Sequence, residues 1–153
     1  MAAAFDVGAF MSCSCLRLRR VAREATRLYD GYLKPVGLSS NQLIVMVALR
    51  GAGRAGASVT ARALAERIGS DPTTLSRNLQ PLIKRGLVAT TADPEDGRSR
   101  LLRITTKGEA KLREAGPHWR KAQARMKAAV GEGRLKALHG LLDHATANLG
   151  NQV

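Results

Sequence analysis

The sequence predicts a mainly α-helical fold with one small β-hairpin, in which a central lobe is flanked by helices from both ends of the chain. Three observations carry that reading. Two helical patterns separated by a three-residue turn occupy residues 60–85. A strand-like run, a turn-rich tip and a second strand-like run follow at 87–104. Apolar residues three and four apart recur towards both termini, in seams that a chain of 153 residues cannot bury alone.

Residues 1–10 show no period and are expected to form a loose arm. From Met11 to Lys34 a helix is expected, with Leu18, Val21, Ala25, Leu28 and Tyr32 in one stripe and Arg17, Arg19, Arg20, Arg23 and Arg27 on its flanks. Pro35 and Gly37 end it. Ser39 or Ser40 caps a helix over 41–50, whose run from Leu43 to Leu49 is apolar all round and so reads as fully buried.

Gly51, Gly53 and Gly56 then spell G-x-G-x-x-G, with Asp71 twenty residues after the first glycine. An apolar strand before such a turn would make a nucleotide-binding module. Asp71, however, follows a helical pattern and precedes Pro72, and no alternation of strands follows. The glycines therefore read as a flexible connector between helices, with a short strand near Ser58-Val59.

Thr60 caps the next helix, with Ala61, Leu64, Ala65 and Ile68 inside, Arg62 and Glu66 outside, and Gly69 at its end. Asp71 caps the helix after the turn, and Pro72 takes its first position, where a missing N–H costs nothing. Leu75, Leu79, Leu82 and Ile83 share its apolar face. Pro81 removes one backbone bond in its second half, and Gly86 closes it. The pair of helices has helix-turn-helix spacing, and the hairpin with its tip at 92–98 makes a wing.

Beyond the wing, Thr106-x-x-Glu109 is a capping-box pattern opening a long helix striped by Leu112, Ala115, Trp119, Ala122, Met126 and Ala129. Gly116-Pro117 should kink or bulge it, and Gly131 and Gly133 break it. Leu135, Leu138, Leu142, Ala145 and Leu149 stripe a last helix. The expected domains are an arm at 1–10, a helical dimerisation region at 11–38 and 105–153, and a winged helix-turn-helix lobe at 39–104. Seams at both ends of the chain imply an obligate homodimer in which the first and last helices intertwine.

Lys and Arg number 25 against 12 Asp and Glu, a net charge of +13, which argues for a polyanionic partner such as nucleic acid. The excess is spread along the chain, so it supplies a field and does not locate a site. With no run of 18 apolar residues and no basic segment ahead of Asp6, neither a membrane span nor a secretory signal is expected. Two cysteines are too few for a disulfide framework, and a cytoplasmic location follows. His118, His139 and His144 lack zinc spacing, and no paired-carboxylate or nucleophile motif stands out, so no enzyme, metal or cofactor is expected.

The chemistry gathers on the second helix of the pair. Thr73, Thr74, Arg77 and Gln80 point away from its apolar face, and with Ser76 and Asn78 they offer groups that suit base edges and phosphates in a major groove. Arg98 at the wing tip can enter an adjacent minor groove, with Arg100 beside it. A twofold axis would set two such helices one DNA turn apart, so the expected partner is a pseudo-palindromic double-stranded operator.

The segments LAERIGSDPTTLSRNLQPLIKRGLV and DPEDGRSRLLRITTKGEAKL resemble the winged helix-turn-helix of the MarR family of bacterial transcription regulators. The similarity runs from about Leu16 to the C-terminus. Asp96 and Arg98 stand where that family keeps an Asp and an Arg in its wing, which implies that Asp96 braces Arg98 or the wing backbone. The resemblance also implies a repressor released by a signal, and two routes remain open. Tyr29, Tyr32, His118 and Trp119, with Arg19 and Arg23, would line a pocket for a small aromatic or anionic effector. Alternatively Cys15 resembles the reactive cysteine of the hydroperoxide-sensing branch, with Arg19 and Arg20 nearby to favour its thiolate. That branch carries a tyrosine where this chain has Arg19. Cys13 and Cys15 would lie about 200° apart on one helix, which disfavours a bridge between them.

Overall fold

A computed structural model describes residues 5–54, 58–96 and 99–150. Along the chain the elements are α1 (Val7–Met11), α2 (Ser14–Leu33), a 3-10 turn (Lys34–Val36), α3 (Ser40–Arg54), β1 (Val59–Thr60), α4 (Ala61–Ile68), α5 (Pro72–Lys84), β2 (Val88–Ala92), β3 (Arg100–Ile104), α6 (Thr106–Val130) and α7 (Glu132–Gly150). They form a mainly helical winged-helix fold with one three-stranded antiparallel sheet in the order β1-β3-β2. The chain divides into two compact units. Residues 29–119 make one, and residues 1–28 with 120–153 make the other.

The unit of residues 29–119 contains the core. Leu33, Val36, Met46 and Leu49 pack with Leu64, Leu75, Leu79, Leu82, Leu87, Val88, Leu102 and Leu112. In the other unit Ala122 is the one buried hydrophobic side chain among the described residues, and α7 buries none.

Each helix start in the core unit is bonded in a way the sequence partly announces. Ser39, rather than Ser40, caps α3 through a reciprocal pair: Gln42 N donates to Ser39 Oγ at 3.2 Å, and Ser39 N donates to Gln42 Oε1 at 3.1 Å. The Asp30 carboxylate, from α2, accepts from Ser40 N at 2.6 Å. Thr60 caps α4 through Ala63 N, and Gly69, at φ +62°, ends it in the left-handed conformation that glycine tolerates.

Several expectations require correction. Residues 7–11, expected within or beside a loose arm, form the one-turn helix α1, and α2 begins only at Ser14, so Cys13 precedes it. Gly51 and Gly53 lie in the last turn of α3 instead of in a connector, and Gly56 lies outside the described residues. The preceding run is helix, which removes the strand a nucleotide-binding turn would need. That run is not fully buried either: Ile44 and Val47 are 50% and 53% exposed, because only one side of α3 meets the core. Lastly, Thr105 and not Thr106 caps α6, accepting from Gly108 N at 3.0 Å. Glu109 leaves the cap and pairs with Arg50 of α3 at 3.3 Å.

Gly131, at φ +89°, separates α6 from α7, whereas Gly133 belongs to the first turn of α7. Helix α6 runs unbroken through Gly116 and Pro117.

Candidate nucleic-acid interface

Helix α5 is set by both of its ends. Asp71, in extended conformation, accepts from Thr74 N at 2.9 Å and places Pro72 at the first helical position. A hydrogen bond from the Thr74 side chain, and then that from its backbone N–H, hold the Asp71 carboxyl below its usual range. At the far end Gly86, at φ +70°, lets Leu87 N reach Leu82 O at 2.9 Å. The Arg85 guanidinium donates to Gly37 O at 2.7 Å, and Lys107 Nζ donates to Arg85 O at 2.9 Å. Leu75, Leu79 and Leu82 are buried, so the inward face is anchored along its whole length.

The opposite face is accordingly presented outward. Thr73, Ser76, Arg77 and Gln80 are exposed, and Thr74 is half-buried. Asn78 behaves differently: its amide donates to Thr74 O at 2.9 Å and is folded back on its own helix. Pro81 leaves the Arg77 carbonyl without its usual helical donor, yet α5 continues to Lys84.

The wing is a regular antiparallel pair from Val88↔Ile104 to Ala92↔Arg100. The described residues of the turn bond locally, with Asp93 N donating to Ser99 O at 3.1 Å, Ser99 N to Asp96 O at 2.8 Å and Glu95 N to the Asp93 carboxylate at 3.0 Å. Asp96 is exposed, and its backbone carbonyl takes part in that turn. Arg98 lies outside the described residues. Arg100 reaches across the hairpin to Thr90 Oγ1 at 3.4 Å.

Sequence reasoning missed a groove of about 820 Å³ between α4, α5 and the sheet, open to solvent. Leu75, Leu79, Ile83 and Leu102 floor it, and Arg62, Ser76, Gln80 and Arg100 are on its walls. Ser76, Gln80 and Arg100 were singled out as nucleic-acid contacts and Leu75, Leu79 and Ile83 as an apolar face, but nothing in the linear pattern marks a space formed by three separate elements.

The remaining candidates are dispersed. Tyr29 packs against the core, and burial pushes its phenol above the usual value. His118 Nδ1 lies 3.1 Å from Tyr32 O, so its ring is engaged with backbone. Trp119 is 42% exposed. Arg19 and Arg23 are exposed on the part of α2 that belongs to the other unit. Cys13 is half-buried, Cys15 is exposed, and both are free thiols. Among the described residues no His, Cys, Asp and Glu cluster could hold a metal, and no helix is long and apolar enough to cross a membrane.

An anchored helix with a polar outer face, preceded by a capped partner helix and followed by a β-wing, defines a winged helix-turn-helix protein. The MarR family model matches residues 36–99. The DNA complex of the M. tuberculosis transcriptional regulator MosR is 33% identical, with 92% of this chain and 99% of that one covered at a TM-score of 0.76. A mutant MarR from E. coli complexed with operator DNA shares the fold at 22% identity, with 93% and 99% covered and a TM-score of 0.76. S. aureus MepR in its DNA complex does so at 16% identity, with 89% and 98% covered and a TM-score of 0.73. No curated protein matches the chain by sequence. The chain belongs to the MarR family of DNA-binding transcription regulators.

Proposed function

We propose that this chain works as a homodimer that binds a pseudo-palindromic double-stranded operator in the cytoplasm of a bacterium and represses transcription by occluding a promoter. The observation that carries the reading is the outer face of α5. Thr73, Ser76, Arg77 and Gln80 stand exposed on a helix whose other side is locked into the core. Such a helix meets a major groove without rearranging. Thr73, Thr74, Ser76, Arg77, Asn78 and Gln80 read or flank the bases there. Arg98 and Arg100 follow the adjacent minor groove and backbone, with Asp96 bracing the wing.

Dimerisation is supported by the scarcity of internal burial in residues 1–28 and 120–153. Leu18 and Val21 of α2 are 48% and 56% exposed, and Leu141, Leu142 and Leu149 of α7 are exposed too. Apolar stripes on helices of 20 and 19 residues are what a second copy would cover.

Release is assigned to a small aromatic or anionic effector. The groove beside α5 favours this, since its volume is that of a small-molecule site and its floor is apolar. Ser76, Gln80 and Arg100 on its walls are also residues assigned to DNA, so an occupant would disturb operator contacts directly. The pocket expected around Tyr29, Tyr32, His118 and Trp119 with Arg19 and Arg23 is the competing location. Variants in the two places tell them apart in a thermal-shift screen with aromatic acids. The exposure of Cys15 supports a second reading, in which oxidation is the signal. In that case Cys15→Ser abolishes peroxide-induced release, and a ligand-gated repressor ignores the change.

The main test is an operator titration by gel shift. Arg77→Ala should cost about 1–3 kcal/mol on the selected site and relax base preference, while Arg98→Ala weakens binding with less effect on sequence choice. If both variants bind as the parent does, the assignment of the interface is wrong.

A further inference from the structure

We infer that the arginine face of α2 is a second docking surface for double-stranded DNA, one that grips the phosphate backbone of a duplex segment other than the operator. The inference rests on the DNA-binding reading above and adds a surface to it.

Residues 1–28 and 120–153 hold eleven Lys and Arg against four Asp and Glu, more than half of the net charge of +13 and none of it on α5 or the wing. Its densest part is α2. Arg17, Arg19, Arg20, Arg23 and Arg27 occupy one side of that helix, over roughly 160° of arc at 100° per residue. Leu18, Val21, Ala25 and Leu28 occupy roughly 80° on the opposite side. Any partner that covers the apolar stripe therefore leaves Arg19, Arg20, Arg23 and Arg27 in solvent, while Arg17 borders the stripe.

The arginines are also uncompensated. Between Arg17 and Arg27 the one acidic residue is Glu24, which pairs with Arg27 at 2.8 Å, and the other carboxylate of α2, Asp30, accepts from Ser40 N. Among the described residues Arg17, Arg19, Arg20 and Arg23 form no ion pair, and all four are exposed. Helix α6 adds Arg120, Lys121 and Arg125 to the same unit, likewise without acidic partners.

The chemistry of the face selects the occupant. Between Arg17 and Arg27 it presents no apolar or aromatic side chain, so it lacks the desolvated anchor that a protein interface is built around. A phosphate backbone needs no such anchor. It offers a negative charge about every 1.7 Å of duplex and rewards guanidinium forks by releasing counterions. Arg19, Arg23 and Arg27 recur about every 6 Å along the helix, a row that tracks a charged ribbon and carries no base-reading group. The surface should accordingly be indifferent to sequence and sensitive to salt.

A sandwich assay with the full-length protein tests this. An operator duplex selected from a random pool is fixed to beads and saturated with protein, and capture of a second, labelled duplex of unrelated sequence is then measured across a salt series. The parent should capture it, with an affinity that falls steeply as salt rises. The triple variant Arg19→Gln, Arg20→Gln, Arg23→Gln should load the beads as the parent does and lose at least about tenfold in capture. Its salt slope should drop by up to roughly 5 per dimer, at about 0.9 for each lost phosphate contact. The Lys version of the same triple should retain most capture, which separates charge from folding.

Absence of capture by the parent, or equal capture by the Gln triple, overturns the proposal while the bead loading still upholds the operator reading. Capture displaced more readily by polyglutamate than by unlabelled duplex overturns it in favour of an acidic protein. Failure of the random pool to yield any bound duplex would instead sink the operator reading itself.

Discussion

Asp71 illustrates how one residue serves both structure and interface. Its carboxylate caps α5 through Thr74, and in doing so fixes where Thr73, Ser76 and Arg77 begin their outward turn. Because its folded pKa is depressed, its contribution is present above the unfolded value of 3.8 and is lost as pH falls through the folded one. Thermal melts of the parent and Asp71→Ala should therefore differ near neutral pH and converge in acid below that range. A gap that persists unchanged at the lowest pH would mean that the cap does not act through its charge. Arg77 is a contrasting case, exposed and making none of the ion pairs found among the described residues, so its loss should appear in DNA affinity and hardly in stability.

Among elements, the joint between α5, β2 and α6 is held by several bonds and one close approach. Thr105 Oγ1 donates to Gly86 O at 2.7 Å and accepts from Gly108 N, while Thr105 N donates to Leu87 O at 3.1 Å. Gly108 is buried against the Leu87 carbonyl, where an added Cβ would overlap backbone that cannot move aside. Gly108→Ala should therefore destabilise by about 1–3 kcal/mol in chemical denaturation, as overpacking of a tight contact does. A neutral result would show that α6 can lift from β2. The same joint ties the C-terminal turn of α5 to the first turn of α6 through Lys107 and Arg85, so movement of that end of α6 would be felt at α5.

At the scale of the assembled protein, the proposed dimer would cover the apolar stripes of the helices at the two ends of the chain. Val21→Glu and Leu142→Glu each place a charge in a stripe that a second copy would bury, and each should shift sedimentation from dimer towards monomer. The melting temperature of the parent should rise with protein concentration, because association favours the folded state by mass action. Concentration-independent melting of a monomeric parent would refute the dimer and, with it, the pseudo-palindromic operator.

Local chemistry made much of this legible from the sequence. Gly69, Asp71 and Pro72 punctuate a helix-turn-helix with side chains that bond within a few residues, so neither their bonds nor their backbone angles depend on the rest of the fold. The period of Leu75, Leu79 and Leu82 likewise sorted the core face of α5 from the polar face that carries the proposed contacts. Features that depend on distant chain segments were not legible. Periodicity could not show that Ile44 and Val47 stay uncovered, because an apolar run does not state how many sides its neighbours occupy. Choosing Thr105 over Thr106 as the cap required the approach of Gly86 and Leu87 from nineteen and eighteen residues away. The groove beside α5 exists only where α4, α5 and the sheet meet. Short-range hydrogen bonding and side-chain period are written into the order of residues, whereas coverage, cavities and contested caps are settled by which surfaces the folded chain brings together.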